Sequence, residues 1–152
     1  MPVIALVTGF VALLGGLFLL AIWLIEYDPE YQTAAATRLP VPVISAHVLL
    51  AVTGLAVWVI YLITDKQRLA WVTVLILTAV VSLGFTMAVR WIGVRKMSAT
   101  PAGAAAETGE PPAPVTVPPE RHFPVAVVVG HGIFAITTFV LVILTALGVG
   151  GS

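Results

Sequence analysis

Residues 39–55 read Leu39-Pro-Val-Pro-Val-Ile-Ser-Ala-His47-Val-Leu-Leu-Ala51-Val-Thr53-Gly54-Leu55, and residues 123–139 read Phe123-Pro-Val-Ala-Val-Val-Val-Gly-His131-Gly-Ile-Phe-Ala135-Ile-Thr137-Thr-Phe139. Aligned without a gap, they share Pro40/Pro124, Val41/Val125, Val43/Val127, His47/His131, Ala51/Ala135 and Thr53/Thr137. The common frame is apolar and uncharged, with one imidazole in it. Proline in a first helical turn loses no hydrogen bond, so each copy is expected to open a helix at its proline. Seven residues then put each histidine about 10 Å along its helix axis.

The segments before the two copies repeat more faintly. Gly16 to Leu24 aligns with Gly84 to Ile92, sharing a glycine and, seven residues later, Trp23 and Trp91. The plan is therefore a two-helix hairpin used twice. Such a unit preserves chain direction, so the second and fourth helices should run parallel, with His47 and His131 at matching depth.

Four apolar runs are long enough for a bilayer, which needs about 20 helical residues. They are expected as helices over about 3–25, 40–64, 69–94 and 123–148. The first is uncharged and has no positive region before it, so it reads as a retained transmembrane helix and not a signal peptide. No lipidation motif is visible. The short stretch Asp65-Lys66-Gln67-Arg68 forces the second and third helices to be antiparallel neighbours. Residues 97–119, rich in Pro, Ala and Gly, read as a disordered or polyproline-like linker.

Composition agrees. Of 152 residues, 60% are hydrophobic and 9% charged, with mean hydropathy +1.11, too little polar surface to cover a water-soluble core. The fold class is all-α: a single integral membrane domain, a four-helix bundle built from a duplicated two-helix hairpin. Zero net charge leaves no electrostatic footprint for nucleic acid. The absence of cysteine excludes disulfides, thiolate metal sites and cysteine nucleophiles. Arg38, Arg90, Arg95, Lys96 and Arg121 lie on the side of connectors 26–39 and 95–122, against Lys66 and Arg68 opposite. The positive-inside rule then places the connectors in the cytoplasm, in a plasma or inner membrane.

A histidine within a membrane helix is costly and faces the protein interior, where it pairs or coordinates. Two on parallel helices can converge on one object. A haem suits two imidazoles, no thiolate and an apolar bundle, with the iron taking one neutral imidazole on each face. His47 and His131 are the expected axial ligands. A macrocycle needs small neighbours, and Ala51, Gly54 and Ala135 follow the histidines at helical spacing, with Gly130 and Gly132 flanking His131. Propionates need cations, and Arg38, Arg90 and Arg121 lie on the histidine side. Helix one carries a small-residue stripe, Ala5, Gly9, Ala12 and Gly16, which also suits close helix packing. Trp23, Trp91, Tyr27, Trp58 and Tyr61 read as membrane-interface anchors.

Paired histidines on alternate helices of a short four-helix bundle resemble the small membrane b-type cytochromes, such as the cytochrome b561-like group and the anchor subunits of quinone-linked dehydrogenases. The resemblance covers helices two and four and rests on His47 and His131. It implies haem b, and electron transfer between a quinol pool and a redox protein partner. One pair is present where many b561-like proteins carry two, and His122 has no counterpart, so a second haem is not implied. Two other readings stand beside it. One is a non-catalytic accessory or scaffold subunit whose histidines hydrogen-bond across the bundle. The other is a divalent-metal or proton path, against which counts the lack of any Asp or Glu in a helix core. Ser45 stands two residues from His47, on another helix face, which argues against hydrolytic chemistry.

Overall fold

The computed structural model describes residues 1–27, 39–98 and 118–149. Within them the chain forms helices α1 (Pro2–Glu26), α2 (Val41–Thr64), α3 (Gln67–Ser98) and α4 (Val125–Ala146). A short 3-10 turn, Pro119–His122, precedes α4. All four α-helices are long and apolar enough to cross a membrane. Their large apolar side chains point outward in number, Ile25, Ile63, Leu75 and Phe85 among the most exposed. That is the arrangement expected where the solvent is hydrocarbon. Most of the expected linker, and Arg38, lie outside the described residues.

The helix starts follow from proline, but the aligned proline of each copy sits just outside its helix and not in the first turn, so α2 begins at Val41 and α4 at Val125, slightly later than the sequence suggests. Pro40 and Pro124 are the N-cap residues of α2 and α4, with φ/ψ of −61°/130° and −65°/126°. Their carbonyls accept the first bonds of each helix, from Val43 and Ile44 and from Val127 and Val128. At the other end of α2, Asp65 turns left-handed (φ 51°, ψ 27°) and its N–H donates to the Tyr61 carbonyl. Asp is among the few residues that adopt this conformation at modest cost. The turn reverses the chain into α3 at once, and α2 and α3 pack together as the sequence requires.

The helices form a four-sided ring. α1 packs on α4 and α2, and α3 on α2 and α4, while α1 and α3, like α2 and α4, stand diagonally opposite with no close backbone approach. Gly9 faces Thr138 and Gly16 faces His131, so α1 and α4 are antiparallel; Gly54 faces Leu77 and Gly84 faces His47, so α2 and α3 are too. Trp58 near the end of α2 bonds Pro2 at the start of α1. It follows that α2 and α4 run parallel across the diagonal.

The half of the bundle remote from the connectors is closed by a cluster of Ala5, Trp58, Tyr61, Ala70, Val142 and Ala146. Gln67 caps the end of α4 there, its Nε2–H donating to the Ala146 carbonyl at 2.6 Å. The expected aromatic anchors are corrected at four positions. Trp23, Trp58, Tyr61 and Trp91 are all buried inside the bundle and do not face headgroups. An indole satisfies a bilayer interface and a protein interior equally well, so an apolar sequence does not separate the two placements. Tyr27 is half-buried and packs on Trp23, ring centroids 4.5 Å apart.

Candidate functional site

His47 on α2 and His131 on α4 meet across the diagonal, with ring centroids 6.3 Å apart and planes at 64°. Each ring is held by the helix beside its own. The Nδ1 of His47 lies 3.0 Å from the carbonyl oxygen of Val80 on α3. The Nδ1 of His131 lies 2.8 Å from that of Ala12 on α1. A carbonyl only accepts, so Nδ1 carries the proton in both rings. In the neutral imidazole the lone pair is then on Nε2. Neither Nε2 makes a hydrogen bond among the described residues.

The two settings match further. Val80 stands four residues before Gly84, and Ala12 four residues before Gly16. A β-carbon on Gly84 would come within 3.1 Å of the His47 Cε1, and one on Gly16 within 3.0 Å of the His131 Cε1. Each ring therefore lies on a bare stretch of backbone one turn beyond the carbonyl it bonds. Any other residue there would oblige the ring to shift by a few tenths of an ångström. The small-residue stripe of α1 serves α4 along its length, Gly9 against Thr138 and Gly16 against His131.

The other expected site residues are placed as follows. Ala51 and Gly54 line a cavity of about 30 Å³ at the Trp58 cluster, together with Thr138 and Val142; neither histidine lines it. A β-carbon on Gly54 would meet Ile76 and Leu77 at 3.2 Å, so this glycine also sets the α2–α3 approach. Ala135 is half-buried. Gly130 and Gly132, beside His131, have nothing within 4 Å of where a β-carbon would stand. Arg90 and Arg121 are exposed. His122 lies 3.7 Å from Glu26 in an exposed setting.

The donor set suits an iron bound on both faces. Two Fe–N bonds of about 2 Å each put ligating nitrogens about 4 Å apart, and adding the imidazole radii gives a centroid separation of about 6 Å. The observed 6.3 Å is of that size. The cavity of about 30 Å³ has room for about one water. Neither histidine lines that cavity, and with the rings packed against α1 and α3 at Gly16 and Gly84, seating a porphyrin between them requires the bundle to widen at their level. No cluster of three or more His, Cys, Asp or Glu exists among the described residues, so the histidine pair lacks the further protein ligands of a closed zinc site.

Sequence reasoning found the histidine pair but missed the groups that orient it. Gly16 and Gly84 were visible as an aligned pair, and their role needed the knowledge that α1 faces α4 and α3 faces α2. Comparison with protein families, curated proteins and solved structures matches none of them.

Proposed function

We propose that the chain is a membrane electron-transfer protein that binds one haem b, with His47 and His131 as axial ligands. The single observation that carries this reading is the matched orientation of the two rings. Each Nδ1–H is spent on a backbone carbonyl and each Nε2 is left with its lone pair, on diagonal helices, at a separation of the size two iron–nitrogen bonds need.

When bound, haem would supply reversible one-electron chemistry. The chain's own part is to prepare the ligands and the surroundings. The carbonyls of Val80 and Ala12 fix the tautomer and hold the rings in place. Gly84 and Gly16 let the rings lie against the backbones of α3 and α1. The apolar helices around them exclude water. In this reading the α1–α2 and α3–α4 units are two copies of one hairpin. The electron donor and acceptor are a quinol pool and a redox protein partner, and Ala51, Gly54 and Ala135 adjoin the macrocycle.

The test is the absorption spectrum of protein purified from haem-sufficient cells. A Soret band with a sharp reduced α-band, one haem per chain, is expected. His47→Ala or His131→Ala should abolish or shift it, and His122→Ala should leave it unchanged.

A second reading has its own observation. The same two bonds tie α2 to α3 and α4 to α1, which is what an accessory or scaffold subunit would use its histidines for. A colourless preparation that also fails to take up added haemin would decide for the scaffold.

A further inference from the structure

Trp23 and Trp91 are 4% and 8% exposed, and the indole Nε1–H of each is buried with no hydrogen-bond partner. A buried donor left unpaired is destabilising, and most native proteins avoid it. Here it occurs twice, at positions related in the same way to the two histidines. Trp23 follows Gly16 by seven residues, and Trp91 follows Gly84 by seven. Seven residues are close to two helical turns, so each tryptophan shares the face of its glycine and lies about 10 Å further along the axis. Since α1 and α3 both run toward the connectors, both indoles lie on the connector side of the histidines. α1 and α3 are also the diagonal that does not carry the ligands, so they border the plane between the imidazoles on its two edges.

We propose that the Trp23 and Trp91 indole N–H groups bind the two propionate carboxylates of the haem, one each. This rests on the haem reading above and adds the orientation of the macrocycle: its plane along the α1–α3 diagonal, its acidic edge toward the connectors. The chemistry is that of a neutral donor for a carboxylate in an apolar site. An indole N–H donates strongly without bringing a charge of its own into the membrane, and it has no acceptor capacity to repel an anion. Arg95 adds a cation from outside, its guanidinium 5.3 Å from the centre of the Trp91 ring. The turn Pro119–His122 packs on both α1 and α3 at this end and closes it over. Its buried Glu120 has an interaction of its own within the protein.

The test compares full-length wild type with Trp23→Phe, Trp91→Phe and the double variant, each loaded with haemin or with haemin dimethyl ester, which lacks the carboxylates. For wild type, transfer of haemin to excess apomyoglobin should be slower than transfer of the ester by about a hundredfold, roughly tenfold per indole bond. Each single variant should lose about tenfold of that preference, and the double variant should lose it all while keeping the bis-histidine spectrum. The propionate bending modes in the resonance Raman spectrum should shift on each substitution. Should a variant not fold, the wild-type preference for haemin over its ester decides alone: no preference overturns the proposal. Equal behaviour of wild type and folded variants overturns it too, with the haem reading intact. Wild type that takes up neither haemin nor ester overturns both.

Discussion

Gly16 lies so close beneath the His131 imidazole that a β-carbon there would come within 3.0 Å of Cε1, and Gly84 stands in the same relation to His47 at 3.1 Å. Either ring would have to shift against its bond to Ala12 or Val80 to make room. Gly16→Ala and Gly84→Ala are therefore expected to destabilise the bundle by about 1–3 kcal/mol, the range for overpacking, despite the gain in helix propensity. They should also lower haem occupancy. Gly130→Ala and Gly132→Ala, with open space around them, should do neither. Thermal unfolding in detergent with haem stoichiometry checks the contrast. Equal effects at all four glycines would mean that backbone flexibility, and not room for the rings, is what glycine supplies.

The α2–α3 turn makes a separate prediction. Asp65 is the one residue other than glycine with positive φ among the described residues. Asp65→Gly should leave stability unchanged or raise it slightly, since glycine enters the left-handed region freely. Asp65→Val should lower it by about 1–2 kcal/mol, because a branched side chain clashes there with the following carbonyl. The midpoint of detergent-phase unfolding reads both.

Much of this bundle was legible in the sequence, and the reasons differ from element to element. Pro40 and Pro124 mark helix starts because proline has no N–H to lose, a signal that works in any solvent. The Asp65–Arg68 stretch marks a reversal because charge interrupts an apolar run. The meeting of His47 and His131 follows from their equal distance beyond those prolines. The aromatic residues were not legible. In water, the inner face of a helix is apolar and the outer face polar, so period reveals direction. In a bilayer both faces are apolar, and Trp23, Trp58 and Trp91 carry no mark of the side on which they sit. The arginines show the same limit: Arg90 and Arg121 lie toward the connector end of the bundle, and their exposure was not readable from the sequence. Sequence gives depth along a helix more readily than azimuth around it.

Trp58 tests that distinction. It is 2% exposed in the cluster remote from the connectors, and its Nε1–H donates to the Pro2 carbonyl at 3.1 Å, tying the start of α1 to the end of α2. Trp58→Phe keeps most of the packing and loses the bond, an expected cost of about 1 kcal/mol. Trp58→Ala also leaves a cavity beside Val142 and should cost about 3–5 kcal/mol. A residue anchoring the protein to headgroups would show much smaller losses in detergent, so unfolding midpoints for the two variants separate the roles.

The histidines themselves can be divided into two functions by substitution. Asparagine places an amide N–H close to where Nδ1–H lies and has nothing at the position of Nε2. His47→Asn and His131→Asn should therefore retain the bond to Val80 or Ala12 and unfold close to wild type in the absence of haem. His47→Leu and His131→Leu lose that bond, which in membrane proteins contributes about 0.6 kcal/mol on average and up to about 1.7. The bis-histidine haem spectrum should be lost or shifted in all four. The scaffold reading expects no haem in wild type, and the same order of stability. A wild-type spectrum surviving in His47→Asn or His131→Asn would remove that histidine from the iron. If the asparagine and leucine variants unfold alike, the carbonyl bonds orient the rings without holding the helices together.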